Sequence, residues 1–296
     1  MTIGPIVQAD ALLASLAAEL AAPRGPYLPL SIGDVVVGWL DPERAESVAR
    51  FAEVFHRDGS GLRLNARLET TATRTAAVGR VVEVLAAEGC LTAWRDERYA
   101  LAGHWGAEPL CLIERAAARF FGIRTYAAHI NGLVRSASTA MWLARRSPNK
   151  AIDPGLLDNL VGGGIAAGDT VNATMVREAR EEAGIPTAVA ATATLAGEVR
   201  ICRSGPDGLQ RETVFVHDLW LEPGFAPSNQ DGETVEHRLV SLDQAAAIIA
   251  DRREPDVLTA DASLVIVDFL LRNGNIDRNS SSYHGLDALR YLSLDF

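Results

Sequence analysis

Apolar and polar positions follow two different periods along this chain, and the places where the period changes mark out its elements. Over residues 9–22 apolar side chains recur every three to four positions, as on one face of a helix, and Pro23, Gly25 and Pro26 end the run. Residues 28–40 (LPLSIGDVVVGWL) form a β-branched apolar run around a glycine turn, which predicts two strands. Helical spacing returns over 42–55 and again over 73–88, where Ala77, Val81, Val84 and Leu85 are the apolar positions. Residues 62–68 alternate as a strand does. The segment from Trp94 to Tyr99 leads into a short strand, and 116–121 with Gly122 reads as a helix end and a joint.

Beyond Ile123 the pattern turns to longer strands. Residues 125–133 and 140–145 are strand-like around a serine-rich turn, Asp153-Pro154-Gly155 is a turn, and 157–161 runs into Gly162-Gly163-Gly164. Further strands are predicted over 189–203, 212–221 and 237–242. A polar loop carrying several acids lies at 227–236. A helix over 241–250 has Ser241 as its cap, and an apolar helix over 262–272 stops at Asn273-Gly274. The tail carries Leu286, Leu289 and Leu292, enough for one last docked helix. These changes place an N-terminal domain at 1–122, a second domain at 123–275 and a tail at 276–296.

The 296 residues are 48% hydrophobic, ample for two cores, and the formal net charge is −10. Such a balance argues against a nucleic-acid or anionic-membrane binder, both of which need basic surface. The helix-helix-strand order of the first domain is that of a winged helix, but no basic recognition helix accompanies it. Cys90, Cys111 and Cys202 are isolated and odd in number, and the six histidines are scattered, so neither a disulfide framework nor a zinc site is expected. The N-terminal stretch carries Asp10 and Glu19 and no basic residue, unlike a signal peptide. No run of about 18 uncharged apolar residues offers a membrane span. A cytoplasmic protein is expected.

The chemistry concentrates in residues 163–185, GGIAAGDTVNATMVREAREEAGI. Glu178, Glu181 and Glu182 stand at i, i+3 and i+4, so their carboxylates share a helix face, while Ala173, Val176, Ala179 and Ala183 form an apolar stripe behind them. Gly184 sits where a C-cap glycine belongs. A glutamate-rich helix is by default a solvated face. Here the like charges repel, Arg177 can offset Glu181 at i+4, and a divalent cation would offset more; such oxygen-rich sites suit Mg²⁺ or Mn²⁺ and phosphate substrates. Arg145, Arg146 and Lys150, just ahead of the glycines, form the first tight cationic group, either diphosphate ligands or a basic strand end. The glycine run is followed by neither GK[ST] nor a GxGxxG pattern, so a P-loop and a dinucleotide site are not supported.

Gly163, Asp169, Arg177, Glu178, Ala179, Glu181, Glu182, Gly184 and Ile185 resemble the box of the Nudix family, Gly-x5-Glu-x7-Arg-Glu-apolar-x-Glu-Glu-x-Gly-apolar. Asp169 departs from the family's Glu; it is placed either against Arg177 or as the helix N-cap. The resemblance implies an α/β/α sandwich with a mixed sheet, preceded by a smaller α+β domain. It also implies a metal-dependent hydrolase of diphosphates linked to another moiety, with Mg²⁺ or Mn²⁺ at Glu178, Glu181 and Glu182 near the Gly163 carbonyl. The metal would neutralise the diphosphate and activate a water, and a carboxylate would take the proton. Glu233 is favoured for that role, with Glu236, Glu181 and Glu182 as the other candidates. Arg177 is expected to orient the glutamates.

Stretches beyond the box, IERAAARFFGI (113–123), HINGL (129–133), NQDGE (229–233) and SLVIVDFLLRNG (263–274), with Arg74-Thr75 and the Trp94–Tyr99 segment, are similar to one branch of the family. That branch is the Nudix domain associated with fungal thiamine pyrophosphokinases and its plant and bacterial relatives. It implies hydrolysis of damaged thiamine diphosphates to monophosphates, by the Nudix part alone, since the chain has no room for a kinase domain. Two alternatives stay open: a phosphatase of oxidised nucleoside diphosphates, and a diphosphate-sensing module without turnover. The expected partner is a small-molecule diphosphate, with neither nucleic acid nor membrane; a homodimer is possible by analogy. Trp94, Tyr99, Trp105, Tyr126 and Trp142 are the aromatics from which a stacking pocket would be drawn.

Overall fold

The computed structural model describes residues 8–21, 23, 25–59, 61–136 and 138–292, so the reading of the extreme N-terminus and of the last four residues falls outside the described residues. After helix α1 (Ala9–Glu19) come β1 (Leu28–Ile32), β2 (Val35–Leu40), α2 (Pro42–Ala49), β3 (Phe55–Asp58), β4 (Gly61–Leu64) and α3 (Thr71–Ala87). A short hairpin, β5 (Arg98–Leu101) and β6 (Cys111–Glu114), and a 3-10 turn at Arg115–Ala117 close this first part. Its sheet runs β2-β1-β4-β3, and β1 and β4 pair in parallel. Phe55 opens a strand where helical spacing ran on. Its side chain, 1% exposed, is drawn into a core with Leu40, Leu62, Leu85 and Phe121.

The second part contains β7 (Arg124–Arg135), β8 (Thr139–Arg146), β9 (Leu157–Asn159), β10 (Val161–Gly164), α4 (Val171–Ala183), α5 (Thr187–Ala190), β11 (Thr194–Gly205), β12 (Gly208–Leu221), β13 (Thr234–Ser241), α6 (Leu242–Asp251), α7 (Ala260–Arg272) and α8 (Ser281–Leu289). Its sheet runs β11-β12-β7-β8-β13, with β10 on β7 and β9 on β8; β12 pairs with β7 in parallel and the other pairs are antiparallel. Eight consecutive residues of β7, Ala127–Val134, are buried, which is why this stretch is apolar without alternation: both faces are covered. One face carries α4 and α5, and the other carries α6, α7 and α8. The expected mixed-sheet α/β/α sandwich, beside a separate α+β unit, is the architecture observed.

Helix α1 does not stay with the residues that follow it. Leu12, Leu16 and Leu20, each at most 1% exposed, pack with α6, α7 and α8 on the far layer of the second part, and the Ser15 hydroxyl donates to the Ile249 carbonyl at 2.7 Å. Burying each of these leucines contributes about 1.5–3 kcal/mol. Without this cover part of the apolar surface of α6, α7 and α8 would face water. The first helix of the chain thus packs in the core of the second part.

Candidate active site

Helix α4 starts at Thr170, whose hydroxyl accepts the Ala173 N–H at 3.1 Å, so Thr170 is the N-cap and Asp169 instead lies 3.9 Å from the Arg177 guanidinium. The helix ends at Gly184, in the left-handed region at φ 63°, with the Ile185 N–H closing on the Ala179 carbonyl. Its buried face is Met175, Ala179 and Ala183; Val176 is half-buried and Ala173 exposed. The helix is rotated from the expected stripe because Glu182 is drawn inward, where its Oε2 accepts the Gly162 N–H at 2.9 Å.

The three glycines of β10 each face a particular side chain. A Cβ on Gly162 would lie 2.9 Å from the His129 ring, and one on Gly163 2.6 Å from Glu178 Oε1. One on Gly164 would overlap the Tyr99 hydroxyl. The run lets these groups approach the strand.

Four carboxylates from two elements meet here. Glu178 pairs with Arg177 at 2.7 Å, Glu181 with Arg177 at 3.3 Å, Glu182 with Lys150 at 3.6 Å, and Glu233 with both Lys150 and, at 3.3 Å, Arg95. The loop bearing Glu233 is fixed by the end of α4: the Ser228 and Gln230 N–H groups donate to the Ala183 and Glu181 carbonyls, which a helix end leaves open. Burial pushes the Glu182 carboxyl up to about 8, against Lys150 and the Gly162 N–H. Burial also lifts Glu178 above the usual range, with Arg177 opposing. At Glu233 burial pushes upward too, but Lys150 outweighs it, with Arg95 and Arg115 assisting, and the carboxyl is held below its usual range.

Among the described residues no three His, Cys, Asp or Glu side chains already stand as a metal cage, because Arg177 and Lys150 hold the glutamates. The donor set still fits a hard divalent cation: it is all oxygen, and burial lifts Glu178 and Glu182 above the usual carboxylate range, a cost that a cation beside them would offset.

The other expected residues divide. Arg146 lines the cavity but is bound to Asp158 at 2.8 Å and to the carbonyls of Ile152 and Asp153. Arg145 and Glu236 pair with each other at 2.7 Å, and Arg145 also holds Asp256, outside the cavity lining. Neighbours on β8 face opposite ways, so one arginine of the pair had to leave the site. Glu236 lies not in the loop but on β13, held by Arg145 and Arg238, and is less suited than Glu233.

The cavity, about 630 Å³, lies between the two parts of the chain. The first part contributes Arg95, Glu97, Tyr99, Arg115 and Arg119. Its aromatic and charged segment 94–99 was the only sign of this in the sequence. Of the aromatic pool Tyr99 alone lines the cavity; Trp105 packs instead on Tyr126 and Phe215, with ring centroids 4.6 and 5.1 Å away. A second acidic group, Glu212, Asp261 and Asp153, lines the same cavity, bridged by Gln210, whose amide donates to Glu212 and Asp261 at 3.1 Å. Burial raises both Glu212 and Asp153. Among the described residues no helix is long and apolar enough to cross a membrane.

Residues 125–261 match the NUDIX domain, and 13–125 match a domain of unknown function, DUF4743. Nudix hydrolase 20, chloroplastic, of Arabidopsis thaliana is 34% identical over 269 residues, 88% of this chain and 71% of that one. Nudix hydrolase 24, chloroplastic, of the same plant is 35% identical over 271 residues, 90% of this chain and 73% of the other. Among solved structures, DR0079 from Deinococcus radiodurans aligns with a TM-score of 0.41 at 23% identity, covering 57% of this chain and 97% of that one. With the carboxylate helix, its glycine strand and an identity sustained across both parts of the chain, this protein belongs to the Nudix hydrolase family, enzymes that hydrolyse pyrophosphate bonds.

Proposed function

We propose that this protein is a divalent-metal diphosphohydrolase that converts damaged thiamine diphosphates to their monophosphates. The observation that carries the reading is the pairing of two unlike ends within one cavity. At one end are Glu178, Glu181 and Glu233 with their cations, and Glu182 behind them; at the other are the half-buried acids Glu212, Asp261 and Asp153, with Arg119, Arg146 and Arg203 beside them. Glu212 is in register with Thr125 on β7, and Gly163 with Ala128, a separation of roughly 10 Å along the strand. A diphosphate joined to a heterocycle with hydrogen-bond donors and acceptors matches that mixed polarity, and the stretches shared with the thiamine-associated branch support the same choice.

Glu178, Glu181 and Glu182 would hold Mg²⁺ or Mn²⁺, which supplies charge neutralisation of the diphosphate and acidifies a water. Arg177 keeps Glu178 and Glu181 oriented. Glu233 accepts the proton of the attacking water; its loop is fixed to the carbonyl end of α4, so the base and the helix carboxylates keep their spacing. A reducing compartment such as the cytoplasm is part of this reading, supported by Cys90, Cys111 and Cys202 all being free thiols.

The test is hydrolysis with Mg²⁺, read as phosphate release from thiamine diphosphate, oxothiamine and oxythiamine diphosphates and 8-oxo-dGDP and as AMP formation from ADP-ribose and NADH, with Glu182→Gln as the blank. Release from the thiamine analogues that the variant abolishes is the expected result. Preference for 8-oxo-dGDP would replace the substrate assignment, and silence of folded protein across the panel would leave only a sensing module.

A further inference from the structure

We propose that the DUF4743 part forms the second wall of the hydrolytic site and supplies Arg95, with Arg115 behind it, as ligands for the phosphate oxygens that the metal leaves free. The inference rests on the phosphoric-anhydride reading of the site.

The segment carrying Arg95 is contorted. Ala93 and Asp96, flanking it on either side, both lie in the left-handed region, at φ 66° and 56°, which non-glycine residues seldom adopt. Such strain persists only where the surroundings impose it, and it collects at ligand sites. Here the surroundings are specific. Glu114, 9% exposed, accepts the Arg95 backbone N–H at 3.0 Å and the Ala116 N–H at 3.2 Å through one oxygen. The Arg115 N–H donates to the Glu97 carbonyl at 2.8 Å, and Trp94 Nε1 donates to Asp96 at 2.7 Å. The backbone of Arg95 is therefore tied to a buried carboxylate, while its side chain, 40% exposed, reaches across to Glu233.

That reach ends on the carboxylate the hydrolysis needs free. Lys150 holds the same Glu233. A diphosphate entering the cavity offers these two cations oxygens of higher charge, so both can pass from Glu233 to the substrate. Arg115 is deeper, bound to Glu97 at 2.7 Å and lying over the Tyr99 ring. Its guanidinium carbon would be 3.6 Å from a Cβ on Gly164, one residue from the glycine that faces Glu178. Both arginines thus come from the first part and stand opposite the carboxylate helix, where the second part offers mostly acids. The substrate class so recognised is a diphosphate with at least one phosphate oxygen unclaimed by the metal, whatever group it carries.

The test uses the full chain and methylenediphosphonate, which has no cleavable anhydride, with binding measured by calorimetry in Mg²⁺. Arg95→Ala is expected to raise Kd about 10- to 100-fold, and Arg95→Lys to recover part of the loss. The melting temperature should stay near that of wild type, since Arg95 makes one half-exposed ion pair. Arg50→Ala, which removes an exposed pair with Glu88, should leave Kd unchanged. An Arg95→Ala protein with wild-type Kd, or one in which only the melting temperature falls, would make Arg95 a tie between the two parts and overturn the inference. So would a wild-type chain that does not bind the diphosphonate. Binding that depends on Arg95, beside silence in the hydrolysis panel, would reject the proposed substrates and leave this assignment standing.

Discussion

Replacing Gly163 with alanine tests the close approach of the glycine strand to the carboxylate helix. The added Cβ would overlap Glu178 Cγ and Cδ and lie 2.6 Å from its Oε1, a contact that by itself is about 0.8 Å inside an ordinary van der Waals separation. Glu178 has little room to yield: its side chain is 13% exposed and bound to Arg177 at 2.7 Å, and Gly163 is paired to Ala128 in the sheet. The overlap is relieved by moving the carboxylate, with an overpacking cost of about 1–3 kcal/mol. In a chain of this size that lowers the melting temperature by roughly 2–4 °C per kcal/mol. The functional cost is greater, since a displacement near 1 Å in a catalytic constellation lowers the rate about 100-fold. The assay is kcat with Mg²⁺ titration on the best substrate of the panel, beside thermal melting. Gly79→Ala serves as the control: it lies in α3, a Cβ there meets nothing within 4 Å, and the change should stabilise the fold by about 0.5–1 kcal/mol. A Gly163→Ala enzyme within two- or threefold of wild type in kcat and in Mg²⁺ requirement would refute the placement of Glu178 against this strand as catalytically necessary.

Metal-free protein should lose stability as pH rises. The folded-state pKa of Glu182 is raised, so the folded chain holds this proton more tightly than the unfolded one; the contribution is whole below about 4.5 and gone above about 8. Melting in EDTA across that range should show the slope, Glu182→Gln should flatten it, and an unchanged slope in the variant would assign it to other groups. Glu233→Gln is expected to lower kcat by about 100- to 10,000-fold. Glu236→Gln, outside the cavity and held by Arg145 and Arg238, should leave it near wild type; a near-normal rate for Glu233→Gln would remove Glu233 as the base.

Local pattern was enough for much of this protein. The carboxylate face of α4, its Gly184 cap and the Arg177–Glu181 pair are set by spacing within one helix, and all three are present. The strands β7, β8 and β12 were readable because buried apolar runs between turns have few other uses. So was the Ser241 cap of α6, where the hydroxyl accepts the Gln244 N–H at 3.1 Å. What spacing could not supply is which distant groups meet. Helix α1 carries an apolar stripe, but nothing in the stripe says that it covers α7 rather than the adjoining sheet. Arg145 and Arg146 are neighbours in sequence and look alike, yet the pleat of β8 sends one toward Asp158 in the cavity and the other to Glu236 and Asp256. Glu182 is one of three similar glutamates until the Gly162 N–H draws it inward and rotates the helix. The cavity itself exists only where the two parts touch, so Arg95 and Glu233, 138 residues apart, form a pair that only the tertiary structure decides. Periodicity reports which face of an element is covered; the partner is chosen by packing and charge among all elements at once.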